Sequence, residues 1–316
     1  MSVVIVTGSA GNIGGQTALL LKDAGHEVYG IDRREPPKHL RGVCNKFLFQ
    51  DFSSDVALSW IIAKQPDAII HCAGTSLVGP SVTDPAEYYN NNVAKTLRLL
   101  DIVRKSLPRT RFIFSSSAAT YGEPIMVPCS EVDPCEPVSP YGQSKLMIDM
   151  ILESYHRAYG VDYVSFRYFN ACGADPLGRH GQETGATHII ARVLESIRDN
   201  QEFTLYGNDY PTPDGTCVRD YVHVDDIARA HALALHHTIP AGIYNLGSNN
   251  GTSNREIISA AERITEKKVT VLDGDQRAGD PPMLTASADK FNLVAGAWRH
   301  HDLDAMIEHV WSWYNK

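Results

Sequence analysis

Short apolar runs alternate with longer amphipathic segments along the first half of this chain of 316 residues. The run at 3–6 is apolar and β-branched throughout, as in a strand buried on both faces of a parallel sheet. Segments of helical periodicity separate this run from five others, and the longest predicted helices are 85–106 and 140–159. Strands that alternate with helices predict an α/β fold with a doubly wound parallel sheet. The predicted strands are 3–6, 26–31, 46–49, 67–71, 111–114 and 161–166.

The second half of the chain differs in composition. Residues 171–185 and 207–219 are rich in Gly, Pro, Asp and Thr, which is typical of long functional loops. We expect a first domain over 1–170, joined by about 217–245, and a smaller mixed α/β lobe over 171–316 that is interleaved with it. The predicted elements here are helices at 186–200, 225–237, 253–266 and 302–313, and strands at 203–206, 243–246 and 269–272.

A glycine-rich turn follows the first strand and opens the first helix, with Gly8, Gly11 and Gly14 at its key positions. Such glycines allow a tight turn and let backbone N–H groups approach a pyrophosphate at the helix N-terminus. Asp32 ends the second strand, 24 residues after Gly8, where a carboxylate accepts hydrogen bonds from an adenosine ribose. The strand–turn–helix–strand context predicts a dinucleotide site.

The residues around Asp32 bear on which dinucleotide binds. A carboxylate repels a 2′-phosphate, which favours NAD, whereas Arg33 and Arg34 directly after it could accommodate the phosphate of NADP. We predict NAD.

Polar and small residues also follow the other predicted strands, at Asp51, Gly74 and 115–117. Because the carboxyl ends of parallel strands share one edge of the sheet, these residues are expected to meet there, where such sheets bind ligands.

Tyr141 and Lys145 lie one turn apart on a helix that Ser139 caps and Pro140 begins. A lysine ammonium and the helix N-terminus would both lower the pKa of the phenol and favour proton transfer. Alone the pair carries little weight, since about 0.5 such pairs are expected by chance in this composition. Its place beside a dinucleotide site is what makes it a catalytic hypothesis.

Composition narrows the function classes. The net charge of −8 and pI near 5.9 give no electrostatic case for nucleic acid or an anionic membrane. No run approaches the roughly 20 apolar residues of a membrane helix. Six scattered cysteines show no CxxC and no metal spacing, so we expect reduced thiols, no metal site and a cytoplasmic location.

Taken together, the motifs resemble those of the UDP-glucose (UDP-galactose) 4-epimerase family, within the extended short-chain dehydrogenase/reductases. The resemblance runs from residue 5 to about 310. It implies a Rossmann-type sheet with a C-terminal substrate lobe, and a homodimer formed through the two long helices. Its segments are 7–14 (TGSAGNIG), 112–117 (FIFSSS), 141–147 (YGQSKLM), 167–170 (RYFN), 206–210 (YGNDY), 214–224 (DGTCVRDYVHV), 244–248 (YNLGS) and 277–280 (RAGD).

The resemblance implies a 4-epimerase that works through a 4-keto sugar and NAD. Tyr141 would exchange a proton with the C4 hydroxyl, Lys145 would lower the phenol pKa and hold the nicotinamide ribose, and Ser117 would bind the same hydroxyl. The remaining residues that the resemblance and the strand ends assign to NAD are Gly8, Gly11, Asn12, Ile13, Gly14, Asp32, Asp51, Phe52, Cys72, Ala73, Gly74, Asn92, Ser115 and Tyr168. Those that it assigns to the UDP-sugar, besides Ser117 and Tyr141, are Asn170, His188, Tyr206, Arg219, Arg277 and Asp280.

Three departures from the family pattern affect these expectations. Thr75-Ser76 stands where the family has Leu-Lys, so a lysine that helps to hold NAD is missing. Thr187-His188 replaces an Asn-Asn pair that contacts UDP. Leu284 stands where a bulky tyrosine blocks N-acetylated sugars in some relatives, so UDP-GlcNAc and UDP-GalNAc stay open as substrates.

Other activities remain open from the sequence. A UDP-xylose 4-epimerase and a UDP-glucuronate decarboxylase share the same motifs, whereas Ala118-Ala119 counts against a 4,6-dehydratase, which carries Asp-Glu there. A non-catalytic NAD(P)-sensing protein would have no reason to keep Tyr141, Lys145 and Ser117 together.

Overall fold

A computed structural model describes residues 1–185, 187–276 and 281–316. The described strands are β1 Val3–Thr7, β2 Glu27–Asp32, β3 Lys46–Phe49, β4 Ala68–His71, β5 Arg111–Ser117, β6 Tyr163–Tyr168, β7 Asn170–Cys172, β8 Phe203–Tyr206, β9 Val218–Arg219, β10 Tyr221–His223, β11 Gly242–Leu246, β12 Thr252–Ser253, β13 Val271–Gly274 and β14 Met283–Leu284. The described α-helices are α1 Asn12–Asp23, α2 Asp55–Lys64, α3 Val78–Thr83, α4 Pro85–Tyr88, α5 Lys95–Ser106, α6 Pro140–Tyr159, α7 Ile189–Asp199, α8 Val224–Leu233, α9 Asn254–Thr265, α10 Asp289–Ala295 and α11 Leu303–Tyr314.

Seven strands form one parallel sheet in the order β11-β6-β5-β4-β1-β2-β3. Alternate residues of β1 face opposite sides, since Val4 and Val6 pack with α1 and α8 while Ile5 packs with α2, α5 and α6. This period of two explains why the strand is apolar throughout. The predicted doubly wound α/β sheet is confirmed, and the strand order changes direction between β1 and β4, beside the glycine turn.

The later elements build a second core from α7, α9, α11, β8 and β10. Helix α9 starts with a capping box, in which Ser253 accepts from the Glu256 N–H and Glu256 accepts from the Ser253 N–H. The predicted helix at 225–237 ends earlier, at Leu233, and β11 returns to the large sheet beside β6.

The predicted helix 85–106 is one run with a local irregularity. A π-helical turn over Tyr89–Ala94 separates α4 from α5. Turns of this kind are rare and often lie at functional sites. This one carries Asn92, which the sequence assigned to the cofactor site.

Across the described residues, none of the helices combines the length and the apolar character needed to cross a membrane.

Candidate active site

The glycine turn is built so tightly that side chains would fill it. Gly8 has a φ of +73°, and a Cβ there would lie 2.7 Å from the Ala73 backbone nitrogen. A Cβ at Gly14 would lie 2.3 Å from the Gly8 carbonyl oxygen. Gly11 caps α1 without a side chain, so the first N–H groups of that helix point toward a ligand. The turn therefore fits a pyrophosphate.

Asp32 is buried at the end of β2, next to this turn. Its Oδ2 accepts from the Ala10 N–H at 3.1 Å, and its Oδ1 accepts from the Arg34 N–H at 2.9 Å. These bonds hold the carboxylate at the cavity wall, and each oxygen keeps a lone pair for a ribose hydroxyl.

One cavity of about 730 Å³ lies along the carboxyl edge of the sheet, across the point where the strand order reverses. Its opposite wall comes from the segment between β7 and α7 and includes His180 and the predicted substrate residue His188. The predicted cofactor residues that line it are Gly8, Gly11, Asn12, Ile13, Gly14, Asp32, Asp51, Phe52, Cys72, Ala73 and Gly74. An elongated cavity with this lining fits the adenosine and pyrophosphate of a dinucleotide.

Asp51 is paired with a residue that the sequence did not assign. The Lys95 Nζ donates to Asp51 Oδ2 at 2.6 Å, and the Ser53 N–H donates to Oδ1 at 2.9 Å. Burial raises the pKa of Asp51, but these hydrogen bonds outweigh burial and hold the pKa below its ordinary value. The carboxylate stays ionised and fixed in place.

Asn92 ties the cavity floor to the helix of Tyr141. Its Oδ1 accepts from the Thr75 N–H at 2.8 Å, and its Nδ2 donates to the Thr75 carbonyl and to Ser144 Oγ, both at 3.0 Å. Asn92 therefore holds the loop after β4, in which Thr75-Ser76 replaces the family's Leu-Lys.

Lys145 is buried, and its ammonium is bonded to the strand rather than to the phenol. Nζ donates to the Ser115 carbonyl at 2.7 Å and lies 5.9 Å from the centre of the Tyr141 ring. Burial lowers the pKa of Lys145 to about 8, against the charge of Asp149, which raises it.

Tyr141 differs from the prediction in its acidity. Burial raises the pKa of the Tyr141 phenol, and the hydrogen bond with Ser117 lowers it by less. The expectation that Lys145 and the helix N-terminus bring this pKa down is wrong for the chain by itself, because the ammonium is directed to the Ser115 carbonyl. The two side chains do share one helix face, as the spacing predicts.

Ser117 has two roles in the structure. Its Oγ accepts from the Ala119 N–H at 3.1 Å and so caps a short 3-10 turn, and its side chain also lowers the pKa of the Tyr141 phenol. The capping role and the catalytic hypothesis are thus compatible.

Ser115 and Tyr168 begin a buried polar chain beneath the site. The Tyr168 hydroxyl lies 3.0 Å from Ser115 Oγ and also contacts His231 Nε2, and His231 Nδ1 lies 2.9 Å from Thr17 Oγ1. Burial raises the pKa of Tyr168 well above its ordinary value. Tyr168 is therefore a neutral group that supports the site.

Three predicted substrate residues lie on separate strands: Asn170 on β7, Tyr206 on β8 and Arg219 on β9. Asn170 Nδ2 donates to the Asp220 carbonyl at 2.8 Å, and Tyr206 ends β8 opposite Gly274. Arg219 lies on β9, which pairs with β12 and β14, and its Nη1 donates to the Val218 carbonyl at 3.0 Å. None of these three residues is in the lining of the large cavity. Arg277 and Asp280 lie outside the described residues.

His188 caps α7 and is held in one tautomer. Its Nδ1 accepts from the Ala191 N–H at 3.4 Å, so Nε2 carries the proton and donates to Gln182 Oε1 at 2.8 Å. Burial lowers the pKa of His188 to about 4, so the ring is neutral at pH 7.

Sequence reasoning missed His39 and His180, which join two loops at the cavity. His180 Nε2 donates to the Asn12 carbonyl at 2.9 Å, and His180 Nδ1 lies 3.0 Å from His39 Nε2. Burial lowers the pKa of His180 to about 4. No local pattern marks these residues, because they are 141 positions apart in unrelated loops.

Sequence reasoning also missed a cluster of three histidines, His223, His301 and His309. The Asp225 N–H donates to His223 Nδ1 at 3.0 Å, so His223 Nε2 is protonated and donates to His309 Nδ1 at 3.0 Å. His301 Nδ1 lies 3.0 Å from Asp226 Oδ1, and this hydrogen bond raises the His301 pKa. His223 is thus a donor rather than a ligand, and we assign no ion to the cluster.

The fold and the site together define a nucleotide-dependent enzyme of the short-chain dehydrogenase/reductase type. More narrowly, the chain belongs to the NAD dependent epimerase/dehydratase family, whose model matches residues 4–247. The resemblance stated from the sequence is therefore confirmed, as is the prediction of NAD.

The UDP-glucose 4-epimerase of Halalkalibacterium halodurans is 39% identical over 325 residues, which cover 99% of this chain and 96% of that protein. The crystal structure of UDP-glucose 4-epimerase from Brucella ovis in complex with NAD is 40% identical, with a TM-score of 0.91 over 98% of this chain and 97% of that one. The enzyme of the same name from Bifidobacterium longum, in complex with NAD+ and UDP, is 33% identical, with a TM-score of 0.90 over 99% and 98%.

Proposed function

We propose that this chain is an NAD-dependent isomerase, a UDP-hexose 4-epimerase that interconverts UDP-glucose and UDP-galactose. One observation carries the assignment to this site: Tyr141, whose pKa the Ser117 side chain lowers, lies one helix turn before the buried Lys145, at the sheet edge that holds the dinucleotide cavity. Relatives that share 39% of their sequence over nearly the whole chain bear this name.

When bound, NAD would supply the hydride chemistry at C4 of the sugar. In its phenolate form, Tyr141 would take the proton of the C4 hydroxyl as the hydride leaves C4. After the 4-keto sugar has turned, the hydride would return to the opposite face of C4 and Tyr141 would return the proton to the C4 oxygen. Ser117 lies near enough to the phenol to lower its pKa, so it can hold the sugar oxygen beside Tyr141. Lys145, with a pKa of about 8, is mostly protonated at pH 7, and its positive charge favours the phenolate form of Tyr141 that accepts this proton.

The second lobe holds the nucleotide. In this proposal Arg219 and Arg277 bind the diphosphate, since guanidinium groups match phosphate oxygens, and Asn170, His188, Tyr206 and Asp280 complete the UDP site. Neutral His188 fits the uridine side of this site as a fixed hydrogen-bonding group rather than as a charge.

A second substrate pair is favoured by Leu284. It pairs with Arg219 in the sheet and packs against Ala118, Tyr121 and Phe169, next to Ser117 and Asn170. Leucine is smaller than tyrosine, so this wall leaves room for the N-acetyl group of UDP-GlcNAc and UDP-GalNAc.

The test is incubation of the purified chain with UDP-galactose, UDP-GalNAc, UDP-xylose and UDP-glucuronate separately, with and without added NAD, followed by NMR. Conversion of UDP-galactose to UDP-glucose is expected. Turnover of UDP-xylose or UDP-glucuronate alone would assign one of the other activities, and NAD binding without any turnover would leave a sensing protein. Dependence on added NAD would show the effect of the missing lysine.

Tyr141→Phe isolates the acid/base role. We expect kcat to fall by about 100- to 10,000-fold with UDP affinity unchanged, because only proton transfer is removed. Tyr159→Phe is the matched control, since Tyr159 lies on the same helix and is exposed. If the Tyr141→Phe enzyme kept most of its kcat, the assigned role would be wrong.

For the assembly, we propose a homodimer through the predicted helices. Exposed apolar side chains support this: Met147 and Met150 lie on α6, one of those helices, and Val78 and Val82 lie on α3, which packs against α6. Light scattering after gel filtration tests it, and a mass near 35 kDa would exclude it. The six free cysteines support the cytoplasmic location expected from the sequence.

A further inference from the structure

Three successive serines of β5 engage one face of α6. The Ser117 side chain lowers the pKa of the Tyr141 phenol, and the Ser115 carbonyl accepts a hydrogen bond from Lys145. The serine between them, Ser116, donates from Oγ to Asp149 Oδ2 at 3.1 Å. Tyr141, Lys145 and Asp149 are spaced four residues apart, so they form one row along the helix.

Asp149 is completely buried and is not part of the cavity lining. Its Oδ2 also accepts from Arg167 Nε at 3.0 Å, and its Oδ1 accepts from Ser165 Oγ at 2.6 Å. One carboxylate on α6 is therefore bonded to two neighbouring strands, β5 through Ser116 and β6 through Ser165 and Arg167.

Arg167 is itself held from the other side. Its guanidinium lies 4.9 Å above the Tyr121 ring, and the Tyr121 hydroxyl donates to Asn245 Oδ1 of β11 at 2.7 Å. Asp149 and its partners Ser116, Ser165 and Arg167, which we call the anchor, are thus fixed across three strands of the sheet.

This anchor matters because apolar packing alone does not fix a helix along its axis. Ile148 and Leu152 of α6 pack on the sheet, but hydrophobic contacts are not directional. Hydrogen bonds are directional, and a buried carboxylate that lost them would cost much free energy. Asp149 lies about 12 Å from Tyr141 along the helix, so a shift at Asp149 moves the phenol by the same amount.

We propose that Asp149 is a positioning residue, which sets the register of α6 on β5 and so holds Tyr141 and Lys145 against Ser117 and Ser115. This role deepens the proposed function and rests on it for the kinetic part of the test. The charge of Asp149 adds a second effect, because it supports the protonated form of Lys145 against burial.

A matched pair of variants separates positioning from stability. Ser116→Ala and Ser165→Ala each remove one buried hydrogen bond to the same carboxylate, so we expect similar falls in Tm. After Ser165→Ala, Arg167 still bonds Asp149 to β6, whereas Ser116→Ala removes the bond to β5 described above. We therefore expect kcat to fall by about 10- to 100-fold in Ser116→Ala and less than 3-fold in Ser165→Ala, with KM for the UDP-sugar unchanged in both.

Asp149→Asn adds a pH readout. Loss of the negative charge lowers the pKa of Lys145 further, so the limb of the kcat profile that reports Lys145 should move to lower pH. If this variant does not fold, the two serine variants still decide the question.

An NMR measurement that does not require turnover keeps this test independent of the proposed function. In protein labelled at the tyrosine Cζ carbon, the Tyr141 resonance is assigned by its absence in Tyr141→Phe. We expect it to shift in Ser116→Ala and to stay in place in Ser165→Ala. Equal kcat values and equal Tyr141 resonances in the two serine variants would overturn the positioning role. If the parent chain shows no turnover but the variants show the expected shifts, only the proposed function is overturned.

Discussion

Four buried histidines predict that this protein is unstable in mild acid. His71, His180, His223 and His231 are all at most 3% exposed. Burial lowers their pKa values to about 3, 4, 2 and 3, respectively, from an ordinary value of 6.5. Each ring is neutral in the folded chain and is engaged in hydrogen bonds, so protonation is coupled to unfolding.

The sign of the effect follows from which state binds protons first. Between pH 6.5 and about 4, the unfolded chain protonates these rings and the folded chain does not, so the free energy of unfolding falls as pH falls. At pH 5 the loss is about 2 kcal/mol per histidine. This value is set by the unfolded pKa of 6.5 and changes little whether the folded pKa is 2 or 4. Four such losses would total about 8 kcal/mol, which is comparable with the whole stability of a typical domain.

Three groups act in the opposite sense. Burial raises the pKa of Asp149 and Asp220, and the hydrogen bond that His301 donates to Asp226 raises the pKa of His301, so each binds a proton more readily in the folded chain. A single-residue comparison removes this background. His231→Gln keeps hydrogen-bonding atoms near Thr17 and Tyr168 but cannot titrate, and His300→Gln replaces an exposed ring.

Urea unfolding at pH 8 and pH 5, followed by tryptophan fluorescence at one NAD concentration, measures the effect. The parent chain and His300→Gln should lose the same free energy of unfolding between the two pH values. His231→Gln should lose about 2 kcal/mol less, whatever its stability at pH 8. An unchanged pH dependence in His231→Gln would refute the reasoning for that ring. If the free energy of unfolding of the parent chain falls by less than about 2 kcal/mol between pH 8 and pH 5, the reasoning is refuted for the four histidines together.

Two further predictions concern the ligand sites. Gly8→Ala should weaken NAD binding at least 10-fold in a fluorescence titration, because its Cβ would meet the Ala73 backbone at 2.7 Å. Gly25→Ala is the control, since Gly25 has a similar φ of +82° but open space around it. That variant should have the same backbone strain and retain its affinity for NAD. Leu284→Tyr should reduce kcat/KM for UDP-GalNAc much more than for UDP-galactose in the NMR assay, and an equal loss for both sugars would remove Leu284 as a wall of the sugar site.

The first half of the fold could be predicted because its signals are local. The strand predicted at 46–49 is β3 without change, and the glycine turn, α1 and Asp32 fall where the pattern puts them. A strand buried on both faces must be apolar throughout, and a turn that a Cβ would fill must use glycine. These requirements leave direct traces in the order of residues.

Contacts between distant segments leave no such trace. The bond between His39 and His180 joins loops of different lobes, and the pair of β9 with β14 involves two-residue strands. Nor could the π-helical turn be predicted, since the apolar spacing of 85–106 continues through it. These features depend on tertiary packing, which overrides local propensity.

The acidity of Tyr141 shows why helix spacing could predict a face but not a contact. Four-residue spacing places Tyr141 and Lys145 in one row, but a buried ammonium needs an acceptor, and the Ser115 carbonyl at 2.7 Å provides it. A partner of that kind comes from the strand beneath the helix. The more specific sequence signal is therefore the combination of Ser115, Ser116 and Ser117 with a third residue in the row, Asp149. About 0.5 Tyr–Lys pairs of this spacing are expected by chance in such a composition. A carboxylate four residues further on that bonds a serine of the strand requires the helix to lie on that strand in one register.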